Sequence, residues 1–252
     1  MRLPEDLAAR AAESLAAAHP YPRAFVTVSG AHLYGFPSKD SDLDLRGVHL
    51  LPLDEIVGLE TGEETVAFMW DQAGVEADVV THDLAKFCRL LLRRNGYVLE
   101  QVTSPLVLST SPVHEELKEL VPGLLTRNHA HHYLGFARTQ WRAFERTSEL
   151  KPLLYTFRVL LTGIHLMRSG EVQADLTRLA GDGPSYLPEL IEAKRVAERA
   201  ELPGDAPPPG RIRDDVLRLT DRLEEERDRS DLPERPVSFR ALHELVVRAR
   251  LG

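Results

Sequence analysis

The chain has 252 residues, 43% of them hydrophobic and 28% charged, enough to bury a sizeable core in one large or two modest domains. One cysteine, Cys88, excludes an internal disulfide and any zinc site built from several thiols, and a reducing cytoplasm is the natural setting. The formal net charge of −8 argues against indiscriminate binding to nucleic acid, though it leaves room for a local basic groove. The N-terminus, Met1-Arg2-Leu3-Pro4-Glu5-Asp6, carries acids where an export signal needs a basic and then an apolar segment. The most apolar longer stretch, Leu153 to Met167, is broken by Arg158 and His165, so no membrane span is expected.

In chain order, Glu5 to Ala18 has Leu7, Ala11, Leu15 and Ala18 at helical spacing and predicts a leading helix that stops before Pro20. Ala24 to Val28 is a β-branched and aromatic run halted by Ser29-Gly30, the pattern of a strand entering a sharp turn. Leu43 to Leu51 predicts a second strand, Glu64 to Met69 a weaker one, and Glu76 to Thr81 a fourth. Helices follow at Leu84 to Leu92, capped by Asp83 or Thr81, and at Tyr97 to Val102.

Beyond Val121-Pro122-Gly123 strand-like runs give way to helical patterns. Helices are predicted over Ala130 to Thr147, Leu150 to Ser169 closed by Gly170, Leu187 to Ala200, Asp214 to Arg229, and Phe239 to Arg250 capped by Ser238. Leu202 to Gly210 reads as a stiff proline-rich loop. The expected organisation is α+β: residues 1–122 form a domain with a mixed sheet, and residues 123–252 an all-helical one.

The chemistry centres on Ser41-Asp42-Leu43-Asp44. Asp42 and Asp44 are two apart on a predicted strand, so both carboxylates face one place. Such a pair seats a divalent ion, and magnesium in particular takes one or two carboxylates plus substrate phosphates. Asp78, on another predicted strand among Ala77, Val79 and Val80, is the candidate third acid, with Glu76 as the alternative. Asp-x-Asp is also common in turns, and Asp40, Ser41 and Asp42 are all turn formers. The surroundings favour chemistry: Gly30 lets the backbone approach a phosphate, and the N–H groups of the following turn suit triphosphate oxygens.

With these residues assembled, Ser29-Gly30-Ala31-His32-Leu33-Tyr34-Gly35-Phe36 through Ser41-Asp42-Leu43-Asp44-Leu45-Arg46-Gly47-Val48 resembles the signature of bacterial and phage nucleotidyltransferases of the DNA polymerase β superfamily associated with RNA repair. The resemblance continues through Ala77 to Phe87 and Asn95 to Glu100, and more faintly around Lys151 to Gly170. It implies a mixed sheet bearing three carboxylates, a helical partner closing over the nucleotide, and two magnesium ions, with manganese as a substitute. On it Asp42, Asp44 and Asp78 are catalytic and metal-binding, and a hydroxyl attacks the α-phosphorus of an NTP as pyrophosphate leaves. Where the family carries Gly-Ser-Arg, this chain has Gly30-Ala31-His32, so a phosphate-binding hydroxyl is missing at Ala31. Ser29 and Ser41 are the nearby hydroxyls, and His32 replaces the arginine's charge only when protonated.

Lys151, Tyr155 and Arg158 recur at four and seven residues on one predicted helix face and form a candidate nucleotide clamp, or else an ordinary solvated stripe. Arg89, Arg93 and Arg94 with Arg138, Arg142 and Arg146 offer basic stripes for an RNA end, or simply exposed helix faces. His129, His131 and His132 lack the convergent partners of a metal site, and Cys88 reads as a small core residue. The expected activity is transfer of a nucleoside monophosphate from an NTP, such as ATP, to a hydroxyl on an RNA 3′ end or tRNA. Modification of a protein or small molecule, and a nucleotide-binding module without transfer, are the rivals.

Overall fold

A computed structural model describes residues 18–38, 41–72, 75–196, 201–204 and 206–251. The predicted leading helix over Glu5 to Ala18 lies, but for its last residue, outside the described residues. The strands are β1 (Arg23–Val28), β2 (Leu43–His49), β3 (Thr65–Gln72), β4 (Val75–Asp83) and β5 (Val107–Ser109). The helices are α1 (Gly30–Tyr34), α2 (Asp54–Val57), α3 (Leu84–Leu92), α4 (Gly96–Val102), α5 (Pro112–Leu120), α6 (Ala130–Thr147), α7 (Leu150–Ser169), α8 (Leu176–Leu179), α9 (Leu187–Val196), α10 (Pro209–Arg229) and α11 (Phe239–Leu251).

The chain forms two compact units. The first comprises residues 1–30, 42–124 and 235–252; the second comprises 31–41 and 125–234. The changeover at 124/125 falls two residues past the expected 122/123 boundary, but two segments change sides. The chain passes to the second unit just after Gly30 and returns at Asp42, and α11 belongs with the sheet rather than with the helical module. The reason is visible in α11 itself. Leu242 and Leu245 are buried, Val237 and Ser238 donate their N–H groups to the Gly123 carbonyl at 2.7 and 3.1 Å, and Arg250 pairs with Asp83 at the end of β4. A helical pattern in sequence says what an element is, not which core receives it.

The first unit holds a mixed five-stranded sheet in the order β3-β4-β2-β1-β5. β1 runs antiparallel to β2 and β5, β3 antiparallel to β4, and β2 parallel to β4. Alternation along these strands sorts two faces. Val26, Val28, Leu43, Leu45, Ala77 and Val79 form one apolar cluster, with Phe68, Trp70, Leu106 and Leu108 packed on it. The opposite face carries Asp44, Arg46 and Asp78 toward one end and Phe25, edge-on to Phe87 of α3, toward the other. Asp83 caps α3 by accepting the Ala85 N–H at 2.9 Å, and Asn95 caps α4 through the Tyr97 N–H at 3.0 Å.

The second unit is helical and built around α7. That helix is buried on most of its circumference, which accounts for its nearly continuous apolar sequence. Gly163 makes a close approach possible: a Cβ there would stand 2.9 Å from Leu223 Cδ2 of α10 and 3.1 Å from Tyr133 Cβ of α6. Gly170, at φ +68°, ends α7 as predicted. The Leu202 to Gly210 segment is shorter as a loop than expected, because α10 begins at Pro209, where a missing N–H costs nothing. Among the described residues no helix is long and apolar enough to cross a membrane.

Candidate functional site

Parallel pairing of β2 with β4 sets Asp44 directly opposite Asp78. Asp44 is thus placed by β2 and Asp78 by β4, and both side chains share a sheet face because their registers match. Between them lies Arg46, two residues beyond Asp44 on the same face. Its Nη2 donates to Asp44 Oδ1 at 2.7 Å and to Asp78 Oδ2 at 2.8 Å. Its Nη1 donates to the backbone carbonyls of Asp78, at 2.6 Å, and Leu45, at 3.0 Å. All three side chains keep some exposure, 31% for Asp44, 39% for Asp78 and 18% for Arg46, so the constellation is half-buried and open to small solutes.

The turn after β1 closes on Asp44. Ser29 is buried and donates its N–H to the Asp44 carbonyl at 2.8 Å. Gly30 has φ +60°, and a Cβ on it would fall 1.7 Å from Asp44 Oδ2. Only glycine fits there, on conformational and on steric grounds. The approach of Gly30 is thus to an acid of the site, which the sequence reading assigned to a phosphate.

Asp42 stands one residue ahead of β2 and is exposed, so it is not on the strand with Asp44 as expected. Among the described residues no group of three or more His, Cys, Asp or Glu side chains is close enough to hold a metal ion. Two acids converge and the third does not. The pair nevertheless fits a hard cation: its donors are carboxylate oxygens held in register, and a guanidinium already bridges them. Glu76, the alternative third acid, is exposed and lies opposite Asp71 on β3.

The remaining candidates belong to the second unit. Ser41 accepts the Ser38 N–H at 2.9 Å and shares a hydrogen bond with the Ser38 hydroxyl, which closes that turn. His32, on α1, is half-buried. Lys151, Tyr155 and Arg158 do share one stripe of α7, but the stripe runs inward: Lys151 is exposed, Tyr155 is half-buried and Arg158 is only 1% exposed. The Arg158 guanidinium sits 3.7 Å from the centroid of the Tyr34 ring and 5.7 Å from that of Tyr155. Helical spacing fixes the angle around the axis and not the depth along it, so the candidate clamp contains a cation stacked on the buried Tyr34 ring.

Of the histidines set aside by sequence, His129 takes part in the capping box with Thr126, and burial, with the charges of His129 and Arg158, holds His132 down at about 4. Cys88 is buried and burial pushes its thiol up to about 12, far from a reactive state. Arg89 pairs with Glu64, while Arg93, Arg94, Arg138, Arg142 and Arg146 are exposed. The residue that sequence reasoning missed is Arg46. The signal was its spacing of two from Asp44, which on a strand puts a cation beside the acid.

The chain has recognisable relatives. The chain is 33% identical over 159 residues to the uncharacterized protein MJ0002 of Methanocaldococcus jannaschii, covering 61% of this chain and 63% of that one. It is 26% identical over 193 residues to the uncharacterized protein YcgL of Bacillus subtilis, covering 71% and 72%. A nucleotidyltransferase-like protein from Exiguobacterium sibiricum aligns structurally over 99% of this chain and 81% of its own, at 13% identity and a TM-score of 0.35. Residues 5–248 match the RNA repair pathway DNA polymerase beta family, and the chain belongs to that family.

Proposed function

We propose that the protein is a divalent-metal-dependent nucleotidyltransferase that moves a nucleoside monophosphate from an NTP to a hydroxyl, with an RNA 3′ end as the acceptor class. The observation that carries this reading is the Asp44–Asp78 pair, in register on parallel strands and already bridged by a cationic side chain. Asp44 and Asp78 would hold magnesium. A magnesium ion held there would supply Lewis-acid stabilisation at the α-phosphate and favour ionisation of an acceptor hydroxyl.

The chain's own residues have narrower tasks. β2 and β4 fix the carboxylate spacing, Gly30 lets Asp44 reach its position, and the Ser29 N–H ties the turn to β2 through the Asp44 carbonyl. Preorganised charge of this kind needs no rearrangement at the moment of reaction. Acceptance by RNA finds support in the family description and in the exposed arginines of α6, Arg138, Arg142 and Arg146.

Incubation with each α-labelled NTP, magnesium, and RNA, tRNA or protein acceptors tests the reading beside an Asp42→Ala, Asp44→Ala variant. Label should pass to an RNA acceptor with the unaltered chain and fall at least about a hundredfold with the variant. Equal transfer by both, or none to any acceptor, contradicts it.

A further inference from the structure

One guanidinium serves two carboxylates, and its placement does not depend on them alone. Arg46 Nη1 is anchored on the carbonyls of Leu45 and Asp78, one from each parallel strand, while Nη2 reaches both acids. The strands hold the planar fork in place and the acids are drawn to it, a geometry suited to arginine rather than lysine. Two carboxylates this close repel when both are ionised, and the guanidinium between them removes that repulsion.

We propose that Arg46 is a built-in counter-cation: a positioning residue that holds Asp44 and Asp78 together in the absence of a divalent ion and competes with that ion for the same carboxylates. The inference rests on the reading of this pair as a cation seat. An ion approaching oxygens already bonded to a guanidinium meets a positive charge at short range. The pair and Arg46 together leave one net negative charge, little with which to hold a divalent ion unaided. Phosphate oxygens of a bound NTP add the missing negative charge. Ion occupancy is thereby tied to the presence of nucleotide, and the acids stay ordered between turnovers.

The test needs no turnover. Manganese(II) binding to the full chain is titrated by the paramagnetic resonance signal of the free ion, without nucleotide, for the unaltered protein, Arg46→Gln and Arg46→Lys. Thermal midpoints in EDTA are measured alongside. Competition predicts that Arg46→Gln melts lower in EDTA and binds manganese roughly tenfold tighter, since a charge has gone from beside the ion. Arg46→Lys, which keeps the charge, stays within about threefold of the unaltered chain. The inference is overturned if Arg46→Gln binds manganese no more tightly than the unaltered protein, or if Arg46→Lys binds about tenfold more weakly, which would make the fork a scaffold and not a competitor. Should no form bind manganese even with NTP present, the cation seat itself is refuted.

Discussion

At the scale of single residues, Gly30 has the sharpest consequence. Gly30→Ala would place a methyl within bonding distance of Asp44 Oδ2 and force an L-residue to φ +60°. The expected cost is about 1–3 kcal/mol of stability, with a larger relative loss of transfer activity because Asp44 must move. Urea denaturation beside a label-transfer assay separates the two; an active, fully stable Gly30→Ala protein would contradict the geometry. Sequence alone marked Gly30 as special, but the partner it makes room for lies fourteen residues on, and only the folded turn shows it. Arg46 was hidden for a similar reason, since its meaning comes from Asp78 on a different strand.

His49 supplies a pH prediction. Its Nδ1 is 2.8 Å from the Thr81 hydroxyl, which is also 2.7 Å from His19 Nε2, and its Nε2 is 3.3 Å from the Glu63 carbonyl. Arg23 lies opposite it on β1, Asp83 opposite it on β4, and the Tyr21 ring stacks on its own at 5.2 Å. Burial, then the charge of His19, lowers His49 from 6.5 to about 4 against a smaller upward pull from Asp83. The folded state thus keeps this imidazole neutral. Its contribution is fully present above pH 6.5 and is lost as pH falls through 4, amounting to at most about 3 kcal/mol. His49→Gln should flatten the fall of the urea midpoint between pH 6.5 and 4; an unchanged slope would show that His49 is not the group responsible.

At the scale of elements, the pairing of Arg250 with Asp83 fastens α11 to the end of β4. Both side chains are buried, and Arg250 also donates to the Leu51 carbonyl at 2.6 Å. Burial pushes the Asp83 carboxyl up, but the hydrogen bond and charge of Arg250, with the N–H groups of Leu51 and Ala85, outweigh it and hold Asp83 below the usual carboxylate range. Arg250→Met leaves that carboxylate buried without its cation and should cost about 3 kcal/mol in a thermal or urea melt. A loss under about 0.5 kcal/mol would show that α11 is held by its apolar stripe alone.

Elements were legible in the sequence where periodicity was long or punctuation strong. α6 and α7 have their predicted bounds because their repeats span several turns and Gly170 stops the second. Four of the five strands were readable from β-branched runs ended by turn residues. β5, three residues long, and α5, begun by Pro112, were not anticipated, since neither carries a repeat long enough to stand out from a loop. The acids were readable as candidates. Their convergence was only partly so, because strand order and register bring Asp44 to Asp78 while Asp42 stays ahead of β2.

At the scale of the whole chain, membership of the RNA repair pathway DNA polymerase beta family and the Asp44–Asp78 pair rest on different observations and point the same way. Sequence predicted two successive domains, whereas two stretches, residues 31–41 and 235–252, sit in the unit opposite to the one their position along the chain suggests. Such exchanges depend on long-range packing, which no local pattern encodes. The central claim concerns which bond of the NTP is broken. It is tested most directly by supplying the protein and an RNA acceptor with NTP labelled either at the α- or at the γ-phosphorus, and following where each label goes. Nucleotidyl transfer predicts α-label on the RNA, γ-label in pyrophosphate, and loss of both products in Asp44→Asn and Asp78→Asn. Label from the γ-position on the RNA, or undiminished α-transfer by either variant, would contradict the account.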